Sequence, residues 1–366
     1  MLNRIFGVLA DVNAYIWNEK YWLPKGVHWH DFKSTTEFRR PQHTDIYYAP
    51  ILAVIMLILR YIFERYIALN YCKYLGIHNK NHITVEKNEL CEQVFTQVTK
   101  FPDSKKIKEL AEQSSWKEAK VASWFRKRRA VTHSPLLSKA TESCWRFSIY
   151  LFLFLFGCYT VLTKNWFYDT KSWMEGKLIN QDFTTSMRIY YSAELAFYTS
   201  LLFSQFIDVK RKDFYQMFLH HIVTIILILH SLMSGFTRIG AVIMVLHDAS
   251  DIWLEAAKVY NYAKMQKLCD GLFFLFAVVF YLTRWVYYPF WVIHCMIYYS
   301  WSELGPFFAY YQLVGFLFIL QGLHFYWGIL IGKMVYKFAV LGKVGKDDRS
   351  DDEESDDNSR INKKKL

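Results

Sequence analysis

His220 and His221 stand side by side in MFLHHIVTIILILH, and His247, Asp248, Asp251 and Glu255 follow in VLHDASDIWLEAAK. Imidazoles and carboxylates in this pattern can pass protons to and from a reacting group, and a histidine can also attack a carbonyl as a nucleophile. On a helix, positions 247, 251 and 255 fall at i, i+4 and i+8, and 248 precedes 251 by three, so the four share one broad face. His220 and His221 diverge by about 100° around their own helix, so one is expected to point into a cavity while the other braces it. A carboxylate of the second stretch beside a histidine of the first would fix the imidazole tautomer. Burying so many ionisable groups costs several kcal/mol unless they pair, which argues for function over coincidence.

Other chemistries are excluded by inspection. The chain has no G-x-S-x-G elbow and no H-E-x-x-H helix. His247 to Asp251 is one residue short of the H-x4-D spacing of glycerolipid acyltransferases, and the histidine boxes of membrane di-iron enzymes are missing. Six scattered cysteines (Cys72, Cys91, Cys144, Cys158, Cys269, Cys295) form no C-x-x-C pair, so neither a zinc module nor a disulfide framework is encoded. Spacing alone leaves open a single ion on His220, His221 and Asp251, but no metal is assigned and no permanently bound cofactor is expected.

The elements that must position these groups are apolar helices. The 366 residues are 53% apolar and 21% charged, with 30 Phe, 26 Tyr and 13 Trp, yet the mean hydropathy is only +0.05. Such a value averages long apolar runs with strongly charged intervals, and it excludes global disorder. A bilayer core asks for roughly 20 apolar helical residues per crossing. Seven stretches qualify, near 46–66, 145–163, 188–206, 214–234, 238–258, 270–292 and 309–332. Arg60, Glu194, His220, His221, Asp248, Asp251 and Gln321 lie within them and demand a polar interior. The expected fold is an all-α membrane protein of about seven transmembrane helices.

Loop charge sets the orientation. The interval 72–130 holds 13 basic against seven acidic residues, and Asp208-Val209-Lys210-Arg211-Lys212-Asp213 is basic too, so both are expected in the cytosol. Residues 1–45 then face the lumen, with Trp17, Trp22 and Trp29 as interfacial anchors, and no signal peptide is read in the first residues. The segment 340–366 is read as a disordered acidic cytosolic tail with Ser350 and Ser355 as phosphorylation candidates. Its end, Lys363-Lys364-Lys365-Leu366, matches the dilysine signal that COPI-type retrieval machinery reads on endoplasmic-reticulum membrane proteins.

Within the segment 72–130, residues 82–130 alternate helix and turn signals: Leu90, Val94, Phe95 and Val98 are spaced for one helix, Pro102-Asp103 opens a second, and SWKEAKVASWFRKRRA closes the unit. The result resembles a small three-helix homeodomain-like insert whose first helix is shortened. The position of the homeodomain's base-reading Asn is Lys127 here, so sequence-specific DNA recognition is not expected. Its basic face suits a membrane surface or an anionic cofactor instead.

The stretch 203–264 is similar to the Lag motif of ceramide synthases, within a TLC domain placed at 140–335. WNEKYWLP at 17–24, the homeodomain-like insert, ESCWRFSIY at 142–150 and KVGKDDRSD also resemble the animal members of that family. The resemblance implies a sphingoid base N-acyltransferase that takes a fatty acyl group from acyl-CoA, its co-substrate, and gives ceramide or dihydroceramide. It places the catalytic residues on His220, His221, Asp248 and Asp251, with His247 and Glu255 supporting. It makes the last six helices a TLC-type barrel around an acyl chamber, in the endoplasmic-reticulum membrane, and allows a homo- or heterodimer. Lys210, Arg211 and Lys212 are candidates for the coenzyme phosphates. The loop before the last span, including Tyr298, Trp301, Ser302 and Glu303, is the candidate for chain-length selection. The competing reading is a TLC-domain lipid sensor or transporter without catalysis, in which the same ionisable groups relay protons or hold a headgroup.

Overall fold

The structure, a computed structural model, describes residues 7, 14–34, 39–78, 85–132, 136–174, 181–209 and 211–341. Lys210, Ser350, Ser355, the KKKL terminus and nearly all of the 340–366 tail lie outside the described residues. Among those described, the chain is all-helical with no strand.

Helix α1 (Ala49–Phe63) runs on through Glu64–Ala68 and Leu69–Tyr74. Three short helices follow: α2 (Glu89–Gln93, extended by a wide turn over Val94–Val98), α3 (Ser104–Ser114) and α4 (Glu118–Thr132). Then come α5 (Leu136–Leu162), α6 (Thr185–Ser204), α7 (Phe214–Met233), α8 (Thr237–Tyr262), α9 (Gln266–Phe280, continued to Leu304) and α10 (Phe308–Leu341). Five are long and apolar enough to cross a membrane: Thr44–Tyr74, Leu136–Leu162, Phe214–Met233, Gln266–Leu304 and Phe308–Val340. The other two expected spans are the helices α6 and α8. At 1.5 Å per residue they are about 30 and 39 Å long, so composition and not length sets them apart. Glu194 on α6 and His247, Asp248, Asp251 and Glu255 on α8 dilute their apolarity.

Helices α5, α6, α7, α10, α9 and α8 pack in that order into a closed ring, with α8 back against α5. Helix α1 lies outside the ring against α6. The interior is apolar toward one end, where Val223, Leu227, Ile239, Val242, Leu313, Leu317 and Leu320 meet. Beyond Phe280, α9 widens into π-type turns over Tyr281–Ile293. Pro289 has no N–H and its ring crowds the carbonyl four residues earlier, so regular helical bonding cannot pass through it. The segment ends at Gly305, whose φ of 67° is left-handed and open to glycine, and Pro306 follows before α10.

The insert folds on its own small core. Asn88 and Asp103 cap α2 and α3 by accepting from Cys91 N at 2.9 Å and Lys106 N at 2.8 Å. Cys91, Phe95, Leu110, Val121, Trp124 and Phe125 pack together beneath. Arg128 closes it with a 2.6 Å contact to Glu92 and stacks 5.1 Å from the Phe95 ring. Lys127 is exposed. At the N-terminus, Trp17 packs on Trp22 and Trp29, and this cluster caps one end of the ring: Trp22 meets His230 of α7 at 4.8 Å, and Tyr21 meets Phe308 of α10 at 5.4 Å.

Candidate active site

Helix α7 presents both histidines to the ring interior. Their environments differ as their angular separation requires. His221 Nδ1 lies 3.0 Å from Gln205 Oε1, and Gln205 Nε2 donates to the Phe214 carbonyl at 2.7 Å. An amide oxygen only accepts, so this pairing puts the His221 proton on Nδ1 and braces the ring. His220 makes no hydrogen bond among the described residues. Its ring stands edge-on to Trp327 of α10 at 5.4 Å and to Tyr198 of α6 at 6.1 Å, and lies 5.7 Å from that of His221.

The four α8 residues expected on one face go to different neighbours. His247 Nδ1 lies 2.6 Å from the Ile243 carbonyl, and its Nε2 lies 2.9 Å from His324 Nε2 on α10. Asp248 is fully buried and faces the Glu194 carboxyl of α6, with the Tyr190 hydroxyl beside it. Asp251 receives Arg284 Nη2 from the widened part of α9 at 3.0 and 3.1 Å, and the same nitrogen donates to the His247 carbonyl at 3.0 Å. Arg284 is itself buried, with its guanidinium 4.8 Å from the Phe280 ring. Glu255 turns to the basic end, where Lys258 contacts it at 2.5 Å. Neither aspartate hydrogen-bonds His220 or His221: the histidine brace comes from Gln205, and Arg284 takes Asp251.

A cavity of about 570 Å³, its open side included, lies beside this array. Tyr198, Thr224 and His247 form its polar end, and Leu227, Ile228, Ile239, Ile243, Met244, Leu317 and Leu320 wall it. Phe236, Met296 and Leu313 close the far end, with Phe236 stacked parallel on Phe307 at 6.2 Å. From His247 to Phe236 the cavity follows α8 for about 16 Å. Gly240 lies in this wall, where any Cβ would collide with the Tyr191 hydroxyl, which bonds Ser231 Oγ at 3.1 Å and the Thr237 carbonyl at 2.9 Å. Tyr298, Trp301, Ser302 and Glu303 do not line the cavity; all four are exposed.

The basic end is a network of ions. Asp208 receives Arg60 of α1 at 2.7 Å and Arg146 of α5 at 2.9 Å, Arg146 meets Glu142 at 2.8 Å, and Arg211 lies 3.9 Å from Glu142. Lys212 is exposed. Spacing along one helix missed Gln205, Tyr198, Arg284 and His324, because each comes from another helix or, for Gln205, from the turn that ends α6. The available signal was that an ionisable residue inside an apolar run is a functional candidate by default, and Arg284 and His324 both satisfy it.

Residues 139–333 match the TLC domain family, and residues 78–132 match the Homeodomain family. Ceramide synthase 5 of Homo sapiens is 40% identical over 356 residues, 97% of this chain and 91% of that protein. The chain belongs to the ceramide synthase family. Ceramide synthase 4 of Homo sapiens is 37% identical over 95% of this chain and 88% of its own, and Ceramide synthase hyl-1 of Caenorhabditis elegans is 29% identical over 92% and 84%. Within a ceramide synthase frame, the TLC match spans the six-helix ring and its cavity, and the homeodomain match covers the insert between α1 and α5.

Proposed function

We propose that this chain joins a fatty acyl group from acyl-CoA to the amine of a sphingoid base, giving ceramide or dihydroceramide. The observation that carries the reading is the apolar cavity whose polar end, Tyr198, Thr224 and His247, adjoins His220 through the Tyr198 ring at 6.1 Å. An alkyl chain gains from such walls about 0.8 kcal/mol per buried CH₂, and the carbonyl at its head is left among groups able to attack it. His220 has no hydrogen bond to hold it back, so it is assigned as the nucleophile on the thioester carbonyl, giving an acyl-imidazole and coenzyme A, with the imidazole N–H proton passing to the departing thiolate. His221, braced by Gln205, orients its neighbour. Attack by the sphingoid amine then forms the amide and frees His220. Asp251 and Asp248 are assigned to position and deprotonate that amine, with Asp251 held by Arg284.

Orientation follows the charges. With seven spans, α6 and α8 included, the basic end of the ring faces the cytosol, and the tryptophan-capped end faces the lumen. Acyl-CoA then enters from the cytosol, with Arg211, Lys212 and Lys210 meeting its phosphates. The Phe236–Met296–Leu313 floor sets how much chain fits, and the segment 293–308, expected as a loop but helical as far as Leu304, acts through Met296 and Phe307, not through its exposed residues. The lysine-rich terminus fits retention in the endoplasmic reticulum through COPI-type machinery, and no resident cofactor is needed. The test is turnover by the purified full chain in lipid nanodiscs with sphinganine and acyl-CoA of several lengths. N-acyl product from wild type and its loss in His220→Ala support the reading. No product from wild type removes it and favours a lipid sensor.

A further inference from the structure

His247 and His324 form a buried imidazole pair whose hydrogen placement follows from geometry. The Ile243 carbonyl only accepts, so His247 Nδ1 carries hydrogen, and in the neutral ring its Nε2 holds a lone pair. His324 Nε2, 2.9 Å away, must then carry the hydrogen between them. That leaves one free basic nitrogen in the pair, His324 Nδ1, which is buried without a hydrogen-bond partner. The ionisable groups around the His324 ring are His247 from α8, which bonds its Nε2, His220 from α7 and Arg284 from α9, and the Tyr288 ring stands edge-on at 5.0 Å. The Trp285 indole donates to the His324 carbonyl at 3.2 Å and fixes α10 at this point. His247 in turn lines the polar end of the cavity.

Acyl transfer to an ammonium leaves a surplus proton. The C–S bond breaks first, with the His220 N–H proton passing to the thiolate, and an N–C bond then forms; the nitrogen gives up two protons, one returns to the freed His220 imidazole, and the other must leave the site. We infer that His324 is a positioning residue that acts through His247: it donates to His247 Nε2 and holds that ring at the polar end of the cavity, and its Nδ1 holds the surplus proton during turnover. On protonation at Nδ1, His324 passes its Nε2 hydrogen to His247 Nε2, and the pair shares one positive charge over two rings. The return of the imidazole pair to neutrality releases the proton after the amide has formed.

This inference rests on the acyl-transfer reading, and wild-type turnover tests that reading separately. The discriminating variant is His324→Gln, whose amide N–H can still donate to His247 Nε2 but whose side chain cannot take a proton. In purified full chain, KM for acyl-CoA and for sphinganine is expected to stay within about twofold while kcat falls at least about tenfold, toward the 10²-fold loss of a missing acid–base group. His324→Phe should lose more than His324→Gln. Wild-type kcat in His324→Gln overturns the proton role and leaves only a structural one. If the variants fail to fold, the single-turnover rate of wild type in mixed H₂O and D₂O decides. A curved dependence on deuterium fraction, from more than one proton in motion, is expected; a linear one overturns the inference.

Discussion

The ring interior and the homeodomain-like insert both carry many ionisable residues, and they handle them in opposite ways. In the ring, Glu194, His220, His221, His247, Asp248, Arg284 and His324 are buried, and most of them meet a partner from another helix. In the insert, Lys105, Lys108, Lys117, Lys120, Arg126 and Lys127 are exposed over a core of seven buried side chains. Charge in the first region is part of the packing, and partners from elsewhere in the ring fix His221, His247, Asp251 and Arg284. Charge in the second is solvated, where single charges contribute little and act together.

That contrast can be broken by substitution. The largest effect is expected from Asp251→Asn and His221→Ala, with turnover falling by about 10²–10⁴ and the protein still eluting as wild type by size exclusion. Retained activity in either would mean that the buried array is structural. Next is Arg284→Leu, which takes the cation from part-buried Asp251 and leaves it the Ser250 hydroxyl at 3.2 Å. The expected cost is about 3–5 kcal/mol, read as a lowered unfolding midpoint in detergent. An unchanged midpoint would show that Asp251 does not depend on this pair.

Phe236→Ala opens the cavity floor and should shift the preferred acyl-CoA toward longer chains, by up to about a hundredfold in relative kcat/KM at the extreme. The same change made at exposed Tyr298 should do much less, and equal shifts would place the selecting residue outside the cavity. The smallest effect is expected in the insert. Arg128 hydrogen-bonds Glu92 and holds its carboxyl below the usual range. Its contribution is therefore full above the ordinary carboxylate pKa and is lost as pH falls through the lowered value. Glu92→Gln should remove that pH dependence, at a cost of under about 1 kcal/mol, as read by hydrogen exchange across residues 89–128 of the full chain. Lys127→Ala should leave turnover within twofold.

Much of this was legible in the sequence because helices announce themselves locally. The Asp103 cap, the apolar runs and the His-His and H-D-x-x-D spacings are all read within one segment, and each expected span lies on a helix. What could not be read was which helix faces which. The i, i+4, i+8 rule put His247, Asp251 and Glu255 on one face, but that face is wide enough to meet α10, α9 and the basic end separately. Arg284 lies where π-type turns around Pro289 shift the register, so 3.6-residue periodicity cannot place it. His324 is 77 residues from His247, a distance at which only the closed ring makes them neighbours. The family resemblance named the two histidines and two aspartates but not Arg284, which holds Asp251, or His324, which pairs with His247.

The most direct test of the central claim is peptide mass spectrometry of the purified full chain after exposure to acyl-CoA alone, with no sphingoid base present. The account predicts a mass increase equal to the acyl group on the peptide carrying His220, absent in His220→Ala and discharged as N-acyl product when sphinganine is added. A wild-type enzyme that turns over both substrates yet never carries acyl on His220 would contradict it.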